Sequence, residues 1–191
     1  VTFSDITTVN NQSQTIAGSF SAVASTEDLA GAKGAYVRVR VLGTSVWVQT
    51  NSTSSLTQVL GLSESAASKA VDSWIQLSST DGPYNQLLQS MTIAQTVDVY
   101  FPTRSSVHLG TTTTINGIKV RTLTGSVSAS SGPTATTSLL VDATTLLPVR
   151  GVLNAHQGGA RETKRCDYSA WGAKVAVEAP SSAAPLSSFT G

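Results

Sequence analysis

Disulfide chemistry is excluded at the outset. The 191 residues contain one cysteine, Cys166, so neither an intramolecular bridge nor a cysteine-built zinc site can form. In the alternating segment Lys164-Arg165-Cys166-Asp167-Tyr168 that cysteine reads as a small buried hydrophobe. Charge is also scarce. Charged side chains make up 12% of the chain and the formal net charge is +1, where about 25% charged residues is usual. A nucleic-acid binder needs a dense basic face to displace counterions, and this composition does not supply one, so no nucleic-acid partner is expected. The densest basic run, Arg161, Lys164 and Arg165 with Glu162 inside it, reads as a solvated strand face. No run of about 18 apolar residues occurs, so no spanning helix is expected. No signal peptide opens the chain, which begins on the strand-like Val1-Thr2-Phe3-Ser4-Asp5-Ile6; any targeting segment or lipid anchor is expected upstream of Val1.

Catalytic signatures are missing too. There is no Gly-x-Ser-x-Gly elbow, no His-Glu-x-x-His and no Walker loop. The two histidines, His108 and His156, fall in strand-like segments and read as surface or hairpin residues. No metal, cofactor or catalytic residue is expected, and an enzyme is the least favoured class. Asp142, next to Ala143-Thr144-Thr145, has a simpler role: an Asp side chain opens a turn by accepting from its own backbone.

What is present is aliphatic and neutral-polar. Hydrophobic residues reach 40%, enough for a folded core rather than a disordered chain. Length fits a single domain over residues 1–180, followed by a loose Ser/Ala/Pro-rich tail over 181–191. Val37, Val39 and Val41 alternate with Arg38 and Arg40, and Gly43-Thr44 turns the chain into Ser45–Gln49, a hairpin. Glu27–Gly34 is polar and reads as a loop. The period then changes. Leu56, Val59, Leu60 and Leu62, then Glu64–Val71, indicate helix over about 55–72. Trp74–Leu77 is a short strand. After Asp81-Gly82-Pro83, the residues Tyr84, Leu87, Leu88 and Met91 stand at i, i+3, i+4 and i+7, an amphipathic helix continued by Ile93 and Val97 to about residue 98. The remainder is β: Val107–Ile115 and Ile118–Val127 about Asn116-Gly117, the strongest short hairpin signal. A turn at Ser130–Pro133, strands over Thr134–Val141 and Leu147–Ala155, a turn at Gln157–Gly159, a strand over Arg161–Ala170 and an extended Lys174–Glu178 follow. Strands, then helices, then consecutive hairpins describe an α+β fold with one antiparallel sheet.

The order Ser45–Asn51, a short helical region, Ser73–Leu77 and Tyr84–Leu88 resembles the actinobacterial LppX/LprG-type envelope lipoproteins of the wider LolA/LolB-like group. So do Leu139–Asp142 with Leu146-Leu147-Pro148-Val149-Arg150, the run Cys166–Gly172, and Val175–Pro180. The resemblance covers residues 36 to 180, and its motifs are structural turns that specify fold better than function. It implies a curved antiparallel half-barrel with short helices packed on its concave side, extracytoplasmic location in the cell envelope or as a secreted protein, and a membrane link only through an anchor outside this chain. It also implies a lipid or glycolipid ligand. The lining expected from inward strand residues and the helix face is Val46, Val48, Leu60, Leu87, Leu88, Met91, Leu140 and Val152. Burying a 16-carbon chain would supply roughly 10 kcal/mol before the costs of binding. The alternative is a non-catalytic sensor or interaction domain on the same scaffold, its interior filled, with an envelope protein as partner.

Overall fold

A computed structural model describes residues 1–128, 134–157 and 160–190. In chain order its elements are β1 (Thr2–Val9), β2 (Gln12–Phe20), β3 (Ala24–Ala30), β4 (Tyr36–Leu42), β5 (Ser45–Thr50), α1 (Thr53–Leu60), α2 (Glu64–Ala70) and β6 (Ile75–Leu77). Then come α3 (Tyr84–Ser90), α4 (Ile93–Asp98), β7 (His108–Ile115), β8 (Ile118–Ser128), β9 (Thr134–Asp142), β10 (Pro148–Gln157), β11 (Ala160–Ser169) and β12 (Ala184–Pro185). Among the described residues the fold is mixed α and β, with four helices and one large, open sheet of twelve strands. Contacts divide the chain into two compact units, Val1–Thr15 with Ile93–Gly172, and Ile16–Thr92 with Ala173–Gly191.

The first unit carries the ladder β1-β11-β10-β9-β8-β7, antiparallel throughout. Asn116 and Gly117 both take positive φ (48° and 79°), and Ile115 faces Ile118: the two-residue hairpin expected there. Asn10 and Asn11, at φ 48° and 67°, stand between β1 and β2 in the same left-handed region, a signal the sequence reading passed over. Asp142 Oδ1 accepts from the backbone N–H of Thr144 at 2.7 Å and of Thr145 at 2.8 Å, the turn role read for it. Register sets the two faces of this sheet. Leu123, Leu139, Gly151, Cys166 and Asp5 form one cross-strand row, and Gly125, Thr137, Leu153 and Lys164 the next. On this face Leu139, Thr137, Leu153 and Cys166 are buried. The opposite face carries Thr122, Leu140, Arg150 and Asp167 in one row and Thr124, Ser138, Val152 and Arg165 in the next, all half-buried or exposed.

The second unit carries β12-β6-β5-β4-β3. Its apolar face is made by Val39, Val41, Val46, Val48, Ile75 and Leu77, which meet across strands in register and are all buried. α1 starts on Ser52, whose side chain accepts from Ser55 N–H, and ends on Gly61 at φ 70°, which donates to Thr57 O. α2 starts on Ser63 in the same way, with Ala66 N–H as donor. These caps satisfy N–H groups that a helix start leaves unpaired. Leu56, Leu60, Leu62, Ala67 and Ala70 are the buried side of this pair.

Four expectations are corrected. The segment Glu27–Gly34 is not all loop: β3 runs to Ala30, because Asp28 stands opposite Arg38 in the ladder with a 3.8 Å ion pair, and opposite charges across strands favour pairing. Lys174–Glu178 forms no strand. The end of the chain is not a loose tail either. Ala184 and Pro185 pair with Ile75 and Gln76, and Leu186 is buried. Finally, that pairing is parallel, so the sheet is not antiparallel throughout. The turns expected at Ser130–Pro133 and over Gly158-Gly159 lie outside the described residues.

Candidate functional site

Six of the eight residues expected to line a cavity lie in the second unit. Val46 and Val48, on β5, are fully buried and packed against Leu77 and Ile75. Leu60 is buried at the end of α1. Met91 is buried just past α3, and Ser25 Oγ donates to its carbonyl at 3.2 Å. Ser25 faces Val41 in the ladder, so that bond draws the end of α3 over the face carrying Val46 and Val48. At the other end of α3, Tyr84 Oη donates to Thr44 O at 2.7 Å. Between these two ties, Leu87 and Leu88 are only half-buried, and Tyr84 is the sole fully buried residue of the helix. α3 is therefore held at its ends and less closely covered at its middle.

Leu140 and Val152 lie in the first unit, on the open face of β9 and β10, as diagonal neighbours through the Arg150–Leu140 and Val152–Ser138 pairs. Their chain neighbours Leu139 and Leu153 take the buried face. A continuous apolar run such as Leu139-Leu140-Val141 has no alternation from which to read the inward side.

The other face of the second unit is polar. Arg38 stacks on Tyr36 at 4.6 Å from the ring centroid and Arg40 on Trp74 at 4.7 Å, each worth about 0.5–1 kcal/mol at an exposed position. Arg40 also donates to Glu178 O at 3.3 Å, and Trp47, its partner across the ladder, is buried. A cleft of about 320 Å³ lies here between Arg40, Trp74 and Glu178–Ser182. Another, of about 430 Å³, lies between α1 and α2 and is lined by Thr53, Ser54, Thr57, Gln58, Glu64 and Ser68. Hydroxyls, an amide and a carboxylate suit water or a polar ligand better than an acyl chain.

Sequence reasoning missed the buried polar cluster of the first unit. Tyr100 is fully buried, and its ring lies over Gly151 so closely that any Cβ there would overlap it. Its hydroxyl donates to Asp5 Oδ2. Asp5 faces Cys166 across β1 and β11, and Cys166 faces Gly151 across β11 and β10. The Tyr100 carbonyl accepts from Thr137 Oγ1 at 2.7 Å, and Tyr168 Oη donates to Thr96 O at 3.1 Å, so α4 and the segment after it are fastened to this face by hydroxyls. Burial raises the Asp5 carboxyl above its ordinary value, against the lowering effect of the Tyr100 hydrogen bond, Lys164 and Thr7. Burial likewise pushes the Cys166 thiol up to about 12 and raises both tyrosines. The thiol and the phenols are therefore held protonated near neutral pH, which removes the thiolate that cysteine chemistry requires. The only sequence signals for this cluster were an Asp inside a strand-like run and a Gly inside another.

Among the described residues no three His, Cys, Asp or Glu side chains come together as a metal site would require. His108 and His156 are both exposed and sit on β7 and β10, three ladder steps apart, which is about 14 Å across the sheet at the usual strand spacing, and His156 is also displaced along β10 from Val152, the residue in line with His108. No described helix is long and apolar enough to cross a membrane. No protein-family model and no curated protein matches the chain.

Proposed function

We propose that the chain is a non-catalytic, extracytoplasmic domain of the envelope-lipoprotein type, and that its second unit accepts an acyl chain of a lipid or glycolipid. In this reading the sheet of that unit curves as a half-barrel with α1, α2 and α3 on its concave side. The acyl chain enters beneath α3, against Val46, Val48, Leu60, Leu87, Leu88 and Met91, and the membrane is reached only through an anchor outside this chain. The observation that carries the reading is the attachment of α3. Its ends are tied by Tyr84 to Thr44 and by Ser25 to Met91, while Leu87 and Leu88 keep part of their surface in water above a fully apolar sheet face. A helix so held can lift at its centre for the cost of a few apolar contacts. For Cys166, the buried thiol held protonated agrees with the non-catalytic part of this reading.

A second reading has its own support. Val46, Val48, Ile75 and Leu77 are already closed off by side chains, as in a filled interaction domain that meets an envelope protein. One experiment separates the two. Leu88→Trp should abolish uptake of lipid, read as bound mass in a native spectrum, with the melting temperature unchanged. A filled interior gives no bound lipid in the parent protein and a lowered melting temperature in the variant, because overpacking typically costs about 1–3 kcal/mol.

A further inference from the structure

The two ends of the strand ladder are built differently. At one end β12 is two residues long, contains Pro185 and runs directly into the buried Leu186, a short and blunted edge. At the other end β7 is eight residues long, His108-Leu109-Gly110-Thr111-Thr112-Thr113-Thr114-Ile115, and every residue but Ile115 is exposed. An edge strand offers a row of unpaired N–H and C=O groups, and proteins usually blunt it with charge, proline, shortness or a bulge. β7 has no Asp, Glu, Lys, Arg or Pro. Its single register irregularity lies between Leu109 and Thr112, which leaves Thr112–Ile115 regular, β-branched at every position and free of charge. Leu109, at 63% exposed, is among the most exposed large apolar side chains described.

We propose that β7 is a self-association edge, which pairs antiparallel with β7 of a second copy of this chain about a two-fold axis. The occupant follows from the sequence of the strand. A two-fold pairing sets the same segment against itself, and a register centred on Thr112 or Thr113 sets threonine against threonine at the centre. Such pairs are favourable across strands, while like charges directly opposite would oppose pairing, and β7 brings none. A neutral, hydroxyl-lined strand offers no charge complementarity to a basic or acidic peptide. Pairing along one strand buries little area, so the dimer is of the weak, concentration-dependent kind.

Sedimentation equilibrium of the full chain from micromolar to millimolar concentration tests this. Thr113→Lys and Thr113→Glu should each weaken the dimer about five-fold, since each sets like charges across the axis, and an equimolar mixture of the two should restore it. Circular dichroism and the melting temperature should stay at the parent values in both variants. A parent chain that is monomeric throughout the range overturns the proposal, and that result leaves the acyl-chain reading untouched. A dimer that neither charge weakens, or one that both weaken and mixing fails to restore, overturns it equally.

Discussion

In the first unit the sheet face carrying Leu139 and Cys166 is buried and the rows of the other face are half-buried or exposed, whereas in the second the face carrying Val46 and Val48 is buried and the other sets the buried Trp47 beside the exposed Arg38 and Asp28. In the first, the covered face is closed by α4 and the segment after it, fastened through Tyr100, Thr137 and Tyr168. In the second, Leu56, Leu60, Leu62, Ala67 and Ala70 accompany the apolar sheet residues in the core. On its other side Trp47 is buried and Arg40 bonds the Glu178 carbonyl. Hydroxyl bonds hold the first cover and both ends of α3 in the second, and apolar area holds α1 and α2. The first kind fixes geometry, because a hydroxyl left without its partner when buried costs about 1–3 kcal/mol. The second tolerates adjustment, since a surface of similar volume can repack.

The sharpest way to break this comparison is to cut the same side chain in both units. Leu56→Ala and Leu139→Ala, both at sites 1% exposed, should each lose about 2–5 kcal/mol in urea unfolding. Leu140→Ala, one residue along on the open face, should lose under about 1 kcal/mol. A Leu140 loss equal to that of Leu139 would mean that the open face is covered in solution.

A smaller effect is expected from Gly151→Ala. A methyl group there overlaps the Tyr100 ring, so the ring must move and its bond to Asp5 must lengthen, at a cost of about 1–3 kcal/mol. Gly31→Ala in the second unit, whose added Cβ would meet only Ala35 at 3.5 Å, should be within about 0.5 kcal/mol of the parent. Equal losses in the two would remove the close approach of Tyr100 as the reason for Gly151.

The smallest effect is one of pH. Asp5 is raised from an ordinary 3.8, with burial as the largest cause, so the folded chain keeps a proton that the unfolded chain gives up near pH 4. The stability linked to Asp5 is complete below that pH and is lost as the pH rises through the folded value. Asp142 has the opposite sign. The Thr145 and Thr144 N–H groups lower it, so its contribution is present above the ordinary value and is lost as the pH falls through the folded one. In urea titrations from pH 3 to pH 7, Asp5→Asn should flatten the decline on the alkaline side and be at least as stable as the parent at pH 7. An Asn variant that is weaker at pH 7 but not at pH 3 would make the Asp5 carboxylate a net stabiliser.

Much of the second unit could be read from sequence because its signals are local. Val37, Val39 and Val41 alternate, Ser52 and Ser63 cap their helices, and Tyr84, Leu87, Leu88 and Met91 keep helical spacing. The α1–α2 pair occupies the stretch expected over 55–72, and α3 with α4 that over 83–98. The Asn116-Gly117 hairpin was equally legible, since both residues must enter positive φ. β3 was hidden because Glu27 and Asp28 look like loop residues until Arg38 stands opposite. The docked end was hidden because two pairing residues and one buried leucine leave no period to detect.

By itself, then, the sequence determined the helices over 53–70 and 84–98, the alternating strand about Val37–Val41, where the tightest hairpin turns, and that no disulfide can staple the chain; each follows from local pattern or composition. Only the tertiary structure decided that Leu139 and not Leu140 faces inward, that Gly151 is small because Tyr100 lies on it, and that Tyr100 bonds the Asp5 that stands opposite Cys166. Those facts depend on the register of strands far apart in the chain and on which segment covers them, and a side chain carries no local mark of the partner it will meet there.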